Sequence, residues 1–548
     1  MTDKLTGHVG DHAVAVARAH GVEVMFTLSG AHVFPLYDGA VKADPPMPLL
    51  DVRHEATATF AAEAYARLTR RPGLAVLTAG PGITNGVSAV TTAWMNGVPL
   101  LVIGGRAPAG RWGQGSLQEL DHPPLLAPIT KHAGTIPSPE VAAKELDEAL
   151  RLAASAHRGP VFLDIPFDVV FGKAEVDAPV ASPPSPSTPD DSDIATVAAA
   201  LDAALRPVLV LSSDVWMDGA EVAARELAEQ ARLPVITTGQ GRGILPRGHE
   251  LLVTRARSAA FAQADLVLVA GAPLDFRLGY GRFGGRDGAT PARVVHLVDS
   301  PGQVSKHADL AASAAGDLTS VFTGIRAALS SQPDRGEWLA TLRGVAREAE
   351  AADAAMLDAT ATPIHPARIY GELRRALDDD AIVIGDGGDF VSFAGRFIEP
   401  AKPGRWLDPG PYGCLGTGLG YAIAARLADP SAQIVLLLGD GAAGFSLMDV
   451  DSLVRHKLPV VMVVGNNGIW ALEKGPMQML YGYDVAAELA PETRYDEVVR
   501  ALGGAGEMVT DPSQIGPALK RGFDSRVPYL VNVITDPAVA YPRSTFGV

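Results

Sequence analysis

The sequence predicts an α/β protein of three doubly wound domains, each built on a parallel sheet. Three observations predict it. The chain has 548 residues, and at roughly 100–200 residues per domain that length calls for about three hydrophobic cores. Short β-branched runs alternate with segments of helical period, the pattern of parallel strands joined by crossover helices. Two breaks divide the chain. Residues 179–189 read PVASPPSPSTP, which holds neither a helix nor a central strand, because proline lacks the N–H and fixes φ. Further on, an acidic, alanine-rich helix expected over 343–359 gives way to Pro363 and Pro366. The domains are therefore expected at 1–178, 190–345 and 363–548.

The strands follow from short apolar runs bounded by Gly, Pro, Asp or Asn. In the first domain they are expected at Val24–Leu28, Leu74–Thr78, Leu100–Gly104 and Val161–Ile165. The second domain offers Pro207–Leu211, Leu266–Ala270 and Val294–Val298. The third offers Ile382–Gly385, Ile434–Leu438, Val460–Val464 and Tyr529–Ile534. Ligands of open α/β sheets sit beyond the carboxyl ends of such strands.

Composition narrows the class of function. The chain is 47% hydrophobic and 20% charged, as in a globular protein rather than a disordered one. A net charge of −16 argues against a nucleic-acid partner, which needs a basic face. Cys414 is the one cysteine, so no disulfide closes within the chain, as befits a reducing compartment. Met1 to Leu5 lack the apolar stretch of a signal peptide, and no run of 18 apolar residues occurs. A cytoplasmic protein without a membrane partner is expected.

The most specific motif lies in the third domain. The apolar run Ile434–Leu438 ends in Gly439-Asp440-Gly441-Ala442-Ala443-Gly444. The glycines allow a sharp turn and close approach to a ligand, the following helix start suits phosphate, and Asp440 supplies the hard oxygen that Mg²⁺ requires. One strand later, Pro459 to Val464 ends at Gly465-Asn466-Asn467-Gly468. A Gly-Asp-Gly turn alone is commonplace; answered at this spacing by an amide at the next strand end, it points to a metal–diphosphate site.

With that pair the sequence resembles the thiamine-diphosphate superfamily of acetohydroxyacid synthases, oxalyl-CoA decarboxylases and 2-hydroxyacyl-CoA lyases, over essentially the whole chain. The resemblance implies a pyrimidine-binding domain, a central Rossmann-like domain and a diphosphate-binding domain with a C-terminal lid, in that order. It implies thiamine diphosphate and Mg²⁺, with Asp440, Asn467 and the main-chain carbonyl of Ile469 as metal ligands. Asp51-Val52-Arg53-His54-Glu55 precedes a helical run. An acid at a helix start is unremarkable alone, but the family places its activating glutamate in this context, bonded to a pyrimidine nitrogen, so Glu55 takes that role. Leu415, in Gly410-Pro411-Tyr412-Gly413-Cys414-Leu415-Gly416, takes the place of the bulky wedge that bends the cofactor. Further cofactor contacts are implied at Gly82 and Asn85, from Gly80-Pro81-Gly82-Ile83-Thr84-Asn85-Gly86, and at Gly388, Asp389, Phe390, Gly413, Gly441, Ala442 and Asn467. In the family the two halves of the site meet across subunits, which implies a homodimer at minimum and points to a homotetramer.

The reaction is less legible. Ser116-Leu117-Gln118-Glu119, Thr130-Lys131-His132 and Arg405-Trp406-Leu407 resemble synthase stretches; Gln118 is placed to bond a reacting oxygen and Lys131 to meet a carboxylate. Leu407-Asp408-Pro409-Gly410 through Ala425, and Gly444-Phe445-Ser446 with Met448, resemble the lyase and oxalyl-CoA decarboxylase group better. Gly385-Asp386-Gly387-Gly388-Asp389-Phe390 matches neither, and Ser29-Gly30-Ala31-His32 departs from both. His32 either transfers protons near neutral pH or caps the following helix. On balance the reading is a lyase that cleaves a 2-hydroxyacyl-CoA to a carbonyl compound and formyl-CoA; the alternative is an acetolactate synthase joining two 2-keto acids. An acyl-CoA substrate would need cations for its phosphates, and Arg396, Lys402 and Arg405 are the candidates. ADP in the central domain would draw on Arg257, Arg277 and Asp299. Residues 471–491 and the tail from Tyr541 to Phe546 are candidate lids. A cofactor sensor without activity would be expected to lack Glu55 or Asp440, and both are present.

Overall fold

A computed structural model describes residues 4–180, 184–285, 290–331 and 333–541. Three parallel sheets form three α/β domains. The first runs, from edge to edge, Leu49–Asp51, Met25–Thr27, Gly73–Leu77, Leu100–Arg106, Pro160–Pro166 and His132–Thr135. The third runs Trp406–Leu407, Ile382–Asp386, Ile434–Gly439, Val461–Asn466, Tyr529–Ile534 and Ala505–Val509. These two sheets share one topology: in each, the first strand lies inside the second and the sixth inside the fifth. The central sheet is five-stranded, in the order Val235–Thr237, Pro207–Leu211, Leu266–Ala270, Arg293–Val298 and Ala312–Ala315, one of the two common doubly wound orders. A separate antiparallel ribbon pairs Lys4–His8 with Lys173–Asp177.

Each predicted strand has a counterpart, because the inner strands are buried on both faces and read as unbroken apolar runs. The sequence reading missed the edge strands at Leu49–Asp51, His132–Thr135, Val235–Thr237, Ala312–Ala315, Trp406–Leu407 and Ala505–Val509. They are short or carry polar and small residues, so they lack an apolar period of their own. The helix expected from residue 343 starts earlier and spans Gly336–Leu357. Its start buries Trp338, Leu339 and Leu342 in the central core, and its end buries Leu357 in the third.

The first and third domains share a core. Helix Glu55–Thr69 lies along helix Gly418–Ala428, with Phe60 and Tyr421 edge to face at 6.2 Å. A Cβ on Gly420 would stand 2.8 Å from Phe60 Cβ and 2.9 Å from the Thr57 carbonyl, so the contact needs glycine. Beside it Arg67 and Glu63 form a buried ion pair at 3.3 Å. Arg67 also donates to the Asp408 carbonyl, the Tyr421 hydroxyl and Gln240 Oε1, which ties all three domains to one guanidinium. Burial pushes Glu63 up despite that partner. Among the described residues no helix is long and apolar enough to cross a membrane.

Candidate active site

Strand Ile434–Gly439 delivers Asp440 to the first turn of helix Asp440–Ser446, only 4% exposed. Its Oδ2 accepts from the amides of Asn467 at 3.1 Å and Gly468 at 2.7 Å, and Oδ1 from its neighbour Gly441 at 2.9 Å. Burial pushes the carboxyl up to about 6, and these amides hold it back. A desolvated carboxylate supported only by amides suits a cation. Strand Val461–Asn466 brings Asn467 beside it, and Asn467 Oδ1 accepts from the Ile469 amide at 3.2 Å. A Cβ on Gly441 would run into the Trp470 ring. The turn thus admits only glycine there.

Asp440, Asn467 and Ile469 border a cavity of about 470 Å³ at the carboxyl end of the third sheet. Gly388, Asp389, Phe390, Gly413, Leu415, Gly441 and Ala442 border it too, so the residues expected around the diphosphate half lie on one cavity. A predicted signal was incomplete here. Asp386, at the end of strand Ile382–Asp386, is fully buried and accepts from the amides of Gly416 at 3.1 Å and Gly418 at 2.8 Å. It anchors the loop that presents Leu415. Burial pushes its carboxyl up to about 7. An acid closing an apolar strand, as Asp440 does, was the available sign. Trp470, Arg242 and Arg277 also border the cavity; the first two were not singled out.

The other half forms around Glu55, at the first position of its helix and 8% exposed. Asn85 Nδ2 donates to Glu55 Oε2 at 3.0 Å, and a Cβ on Gly82 would lie 3.8 Å from Oε1. Asp449 of the third domain fixes the start of this helix, accepting from the Arg53 amide at 2.7 Å and the Thr57 hydroxyl at 2.6 Å. Glu55, Gly82 and Asn85 do not border the cavity of Asp440 within the single chain. His32 is buried with Nδ1 3.2 Å from Thr78 Oγ1, and burial lowers its pKa, so the ring is neutral near pH 7. Its side chain caps no helix. Gln118 takes a left-handed φ of 59° against Gly80, whose Cβ would stand 2.9 Å from that of Gln118. The Gly80 amide donates to His122 Nε2 at 3.0 Å, and His122 Nδ1 meets Asp164 Oδ2 at 2.9 Å; this buried pair was not foreseen.

Several expectations need correction. Lys131 does not present its ammonium to a substrate: it donates to the Ser155 carbonyl and hydroxyl and the His157 carbonyl, each at 2.8 Å. The cations expected to read CoA phosphates lie off the cavity and are paired, Arg396 with Asp353 at 2.5 Å, Lys402 with Asp380 at 2.5 Å and Arg405 with Asp429 at 2.8 Å. The ADP set does not converge either. Arg257 donates to the Arg277 carbonyl, Arg277 forks onto Asp275 at 2.7 Å, and Asp299 is held by His157 of the first domain at 2.9 Å. Arg257, Arg277 and Asp299 are each turned to a partner within the protein, and ADP has no support. Of the candidate lids, 471–481 is helical as Ala471–Tyr481 and starts on the cavity rim; the tail from Pro542 lies outside the described residues.

Comparison with known proteins decides the family. Three family models match in order: the thiamine pyrophosphate enzyme N-terminal binding domain over residues 7–125, its central domain over 194–325 and its C-terminal binding domain over 386–533. The chain belongs to the thiamine pyrophosphate enzymes. Among relatives in this family, a probable acetolactate synthase of Mycobacterium bovis and the acetolactate synthase large subunit of Mycobacterium tuberculosis are each 48% identical, over 98% of this chain and 97% of theirs. The 2-hydroxyacyl-CoA lyase 2 of Caenorhabditis elegans is 34% identical over 93% of this chain and 86% of its own, and that of Homo sapiens 33% over 92% and 85%. In this thiamine pyrophosphate enzyme the first domain therefore carries Glu55 and the C-terminal domain the Asp440 turn.

Proposed function

We propose that this thiamine-diphosphate enzyme joins two 2-keto acids with loss of carbon dioxide, as an acetolactate synthase does. The observation that carries the reading is the full-length similarity at 48% identity to acetolactate synthases. This ordering reverses the preference drawn from sequence, which rested on the likeness of Leu407 through Ala425 and of Gly444-Phe445-Ser446 with Met448 to the lyase group.

When bound, thiamine diphosphate supplies a nucleophilic thiazolium carbon and an electron sink for decarboxylation. The chain's own residues do the rest. Asp440, Asn467 and the Ile469 carbonyl would hold Mg²⁺, and the amides of Gly441 and Ala442 would take the diphosphate. Leu415 would pack against the cofactor. Glu55 would hold a proton toward the pyrimidine, with Asn85 fixing its carboxyl. His32, neutral and buried, and Gln118, at the tip of its loop, orient the reacting oxygen. A second copy of the chain brings its Glu55 to this cavity, so the working unit is a dimer. Tyr412, Phe445, Met448, Met479, Leu480 and Tyr481 are large, exposed and close in sequence to the cavity-lining segments, and they suit cover by that copy.

A second reading, 2-hydroxyacyl-CoA lyase, is kept by relatives at 34% identity over 93% of the chain. Two assays separate the readings. The holoenzyme given pyruvate should form acetolactate; given a 2-hydroxyacyl-CoA it should release no formyl-CoA. Formyl-CoA release without acetolactate from pyruvate would reverse the assignment.

A further inference from the structure

The turn that opens helix Pro81–Met95 is held by a side chain from another loop. Gly80, at its N-cap, has φ 57° and ψ −113°, a conformation that favours glycine, and it brings no capping side chain of its own. Its amide donates to His122 Nε2 at 3.0 Å. A ring nitrogen that accepts from an N–H carries no proton, so the proton of His122 sits on Nδ1. From there it is donated to Asp164 Oδ2, 2.9 Å away. Asp164 is fully buried and is itself fixed by Arg106 at 2.8 Å and by the Thr135 hydroxyl at 2.6 Å. His122 is fully buried as well, so its ring is closed to solvent.

Two parts of the candidate site meet at this bond. On one side, the helix that begins after Gly80 carries Asn85, whose Nδ2 donates to Glu55 Oε2 at 3.0 Å, and Gly82, which passes beside Glu55 Oε1. On the other, His122 closes the loop of Gln118. The left-handed Gln118 lays its Cβ and its carbonyl against Gly80. Glu119 stiffens the same loop by accepting from the amides of Gly113 and Ser116. Past His122 the chain enters the short helix Pro123–Leu126, and the amides of Leu125 and Leu126 donate to the His122 carbonyl. The ring therefore stands between Asp164, on an inner strand, and the turn that places Asn85.

We propose that His122 is a positioning residue for Glu55: held by Asp164, its Nε2 sets the place of the Gly80 turn and, through Asn85, that of the Glu55 carboxyl. The inference rests on Glu55 serving thiamine diphosphate, and not on which substrate reacts. Asp164 selects the tautomer. With the proton on Nε2 instead, two donors would face each other at Gly80 and a buried amide would lose its partner. The helix start would then be free to shift. A reacting group misplaced by about 1 Å loses on the order of a hundredfold in rate, so a small movement of Asn85 and Glu55 matters.

Two substitutions separate this role from a structural one. His122→Gln sets an amide oxygen where Nε2 lies and keeps an acceptor for Gly80. His122→Asn reaches only as far as Nδ1, so it keeps a donor for Asp164 and leaves Gly80 without a partner. His122→Met, of similar reach and without an amide oxygen, gives a second variant of the latter kind with different packing. Hydrogen exchange in the full-length apoenzyme, read by mass spectrometry on the peptide spanning 77–86, should quicken about tenfold or more in His122→Asn and His122→Met and stay within about threefold of wild type in His122→Gln. In the holoenzyme, exchange of the thiazolium proton for deuterium, quenched in acid and read by NMR, should slow about tenfold or more in the first two and be largely restored in His122→Gln. Wild-type rates in His122→Asn and His122→Met overturn the role. So does a His122→Gln enzyme as slow as they are, since a packing defect would act on all three alike. Neither measurement contains a substrate, so the outcome of the acetolactate assay does not bear on them. Glu55→Gln is the control: unchanged thiazolium exchange there overturns the premise and the proposal with it.

Discussion

At the residue scale, two buried carboxylates mark the carboxyl ends of parallel strands beside the cavity. Asp386 and Asp440 close adjacent strands of the third sheet, and backbone amides hold both. Asp440 faces the cavity and suits a cation; Asp386 faces inward and holds the loop of Leu415. That loop carries a pH signature. The value of about 7 for Asp386 lies above that of an unfolded aspartate, about 4, so the folded state keeps a proton that the unfolded state releases between them. Its contribution to stability is complete below about pH 4 and is lost as pH rises through about 7. Thermal melts between pH 5 and 8 should therefore show a steeper fall in Tm for the wild type than for Asp386→Asn. Parallel curves would remove Asp386 from this role.

At the element scale, the contact between helices Glu55–Thr69 and Gly418–Ala428 connects the two cofactor-binding domains. Glu55 stands at one end of this contact, so its place depends on how closely the helices approach. Gly420→Ala should push Phe60 and the Thr57 backbone aside, costing about 1–3 kcal/mol by overpacking. The measurement is denaturant unfolding, and a variant as stable as the wild type would show that the backbone shifts freely here. The inner strands were legible because burial on both faces imposes unbroken apolar runs. The edge strands were not, because a strand with one neighbour and a polar face, such as His132–Thr135, carries no such run. Helix Gly336–Leu357 was seen only in its acidic half; its start reads as a loop after Pro333 until Trp338 is seen buried.

At the scale of the whole molecule, the first and third sheets share one strand order and pack through a common core. Their cofactor-binding ends nevertheless do not open onto one cavity within a chain. A dimer resolves this if each cavity receives Glu55 from the other subunit. The prediction is complementation. Glu55→Gln and Asp440→Asn homodimers should each be inactive, and a mixed, reassembled population should regain about a quarter of wild-type activity, since half the dimers would hold one intact site. No recovery in verified mixed dimers would place both residues in one subunit's site.

The sequence by itself determined the family and the α/β class, and it pointed to residues that gather on the cavity of Asp440 and around Glu55. A Gly-Asp-Gly turn, an amide one strand later and a glutamate at a helix start are constraints of backbone geometry and ligand chemistry, and these are written locally. Tertiary structure decided which charged side chains remain available. Arg396, Lys402, Arg405 and Lys131 look alike as residues in a line, but each finds its partner through long-range packing, Arg396 with Asp353 and Lys131 with Ser155. The same packing brings His157 to Asp299 across a domain boundary. Whether a charge serves a ligand or the fold depends on what it meets in space, and sequence spacing does not encode that.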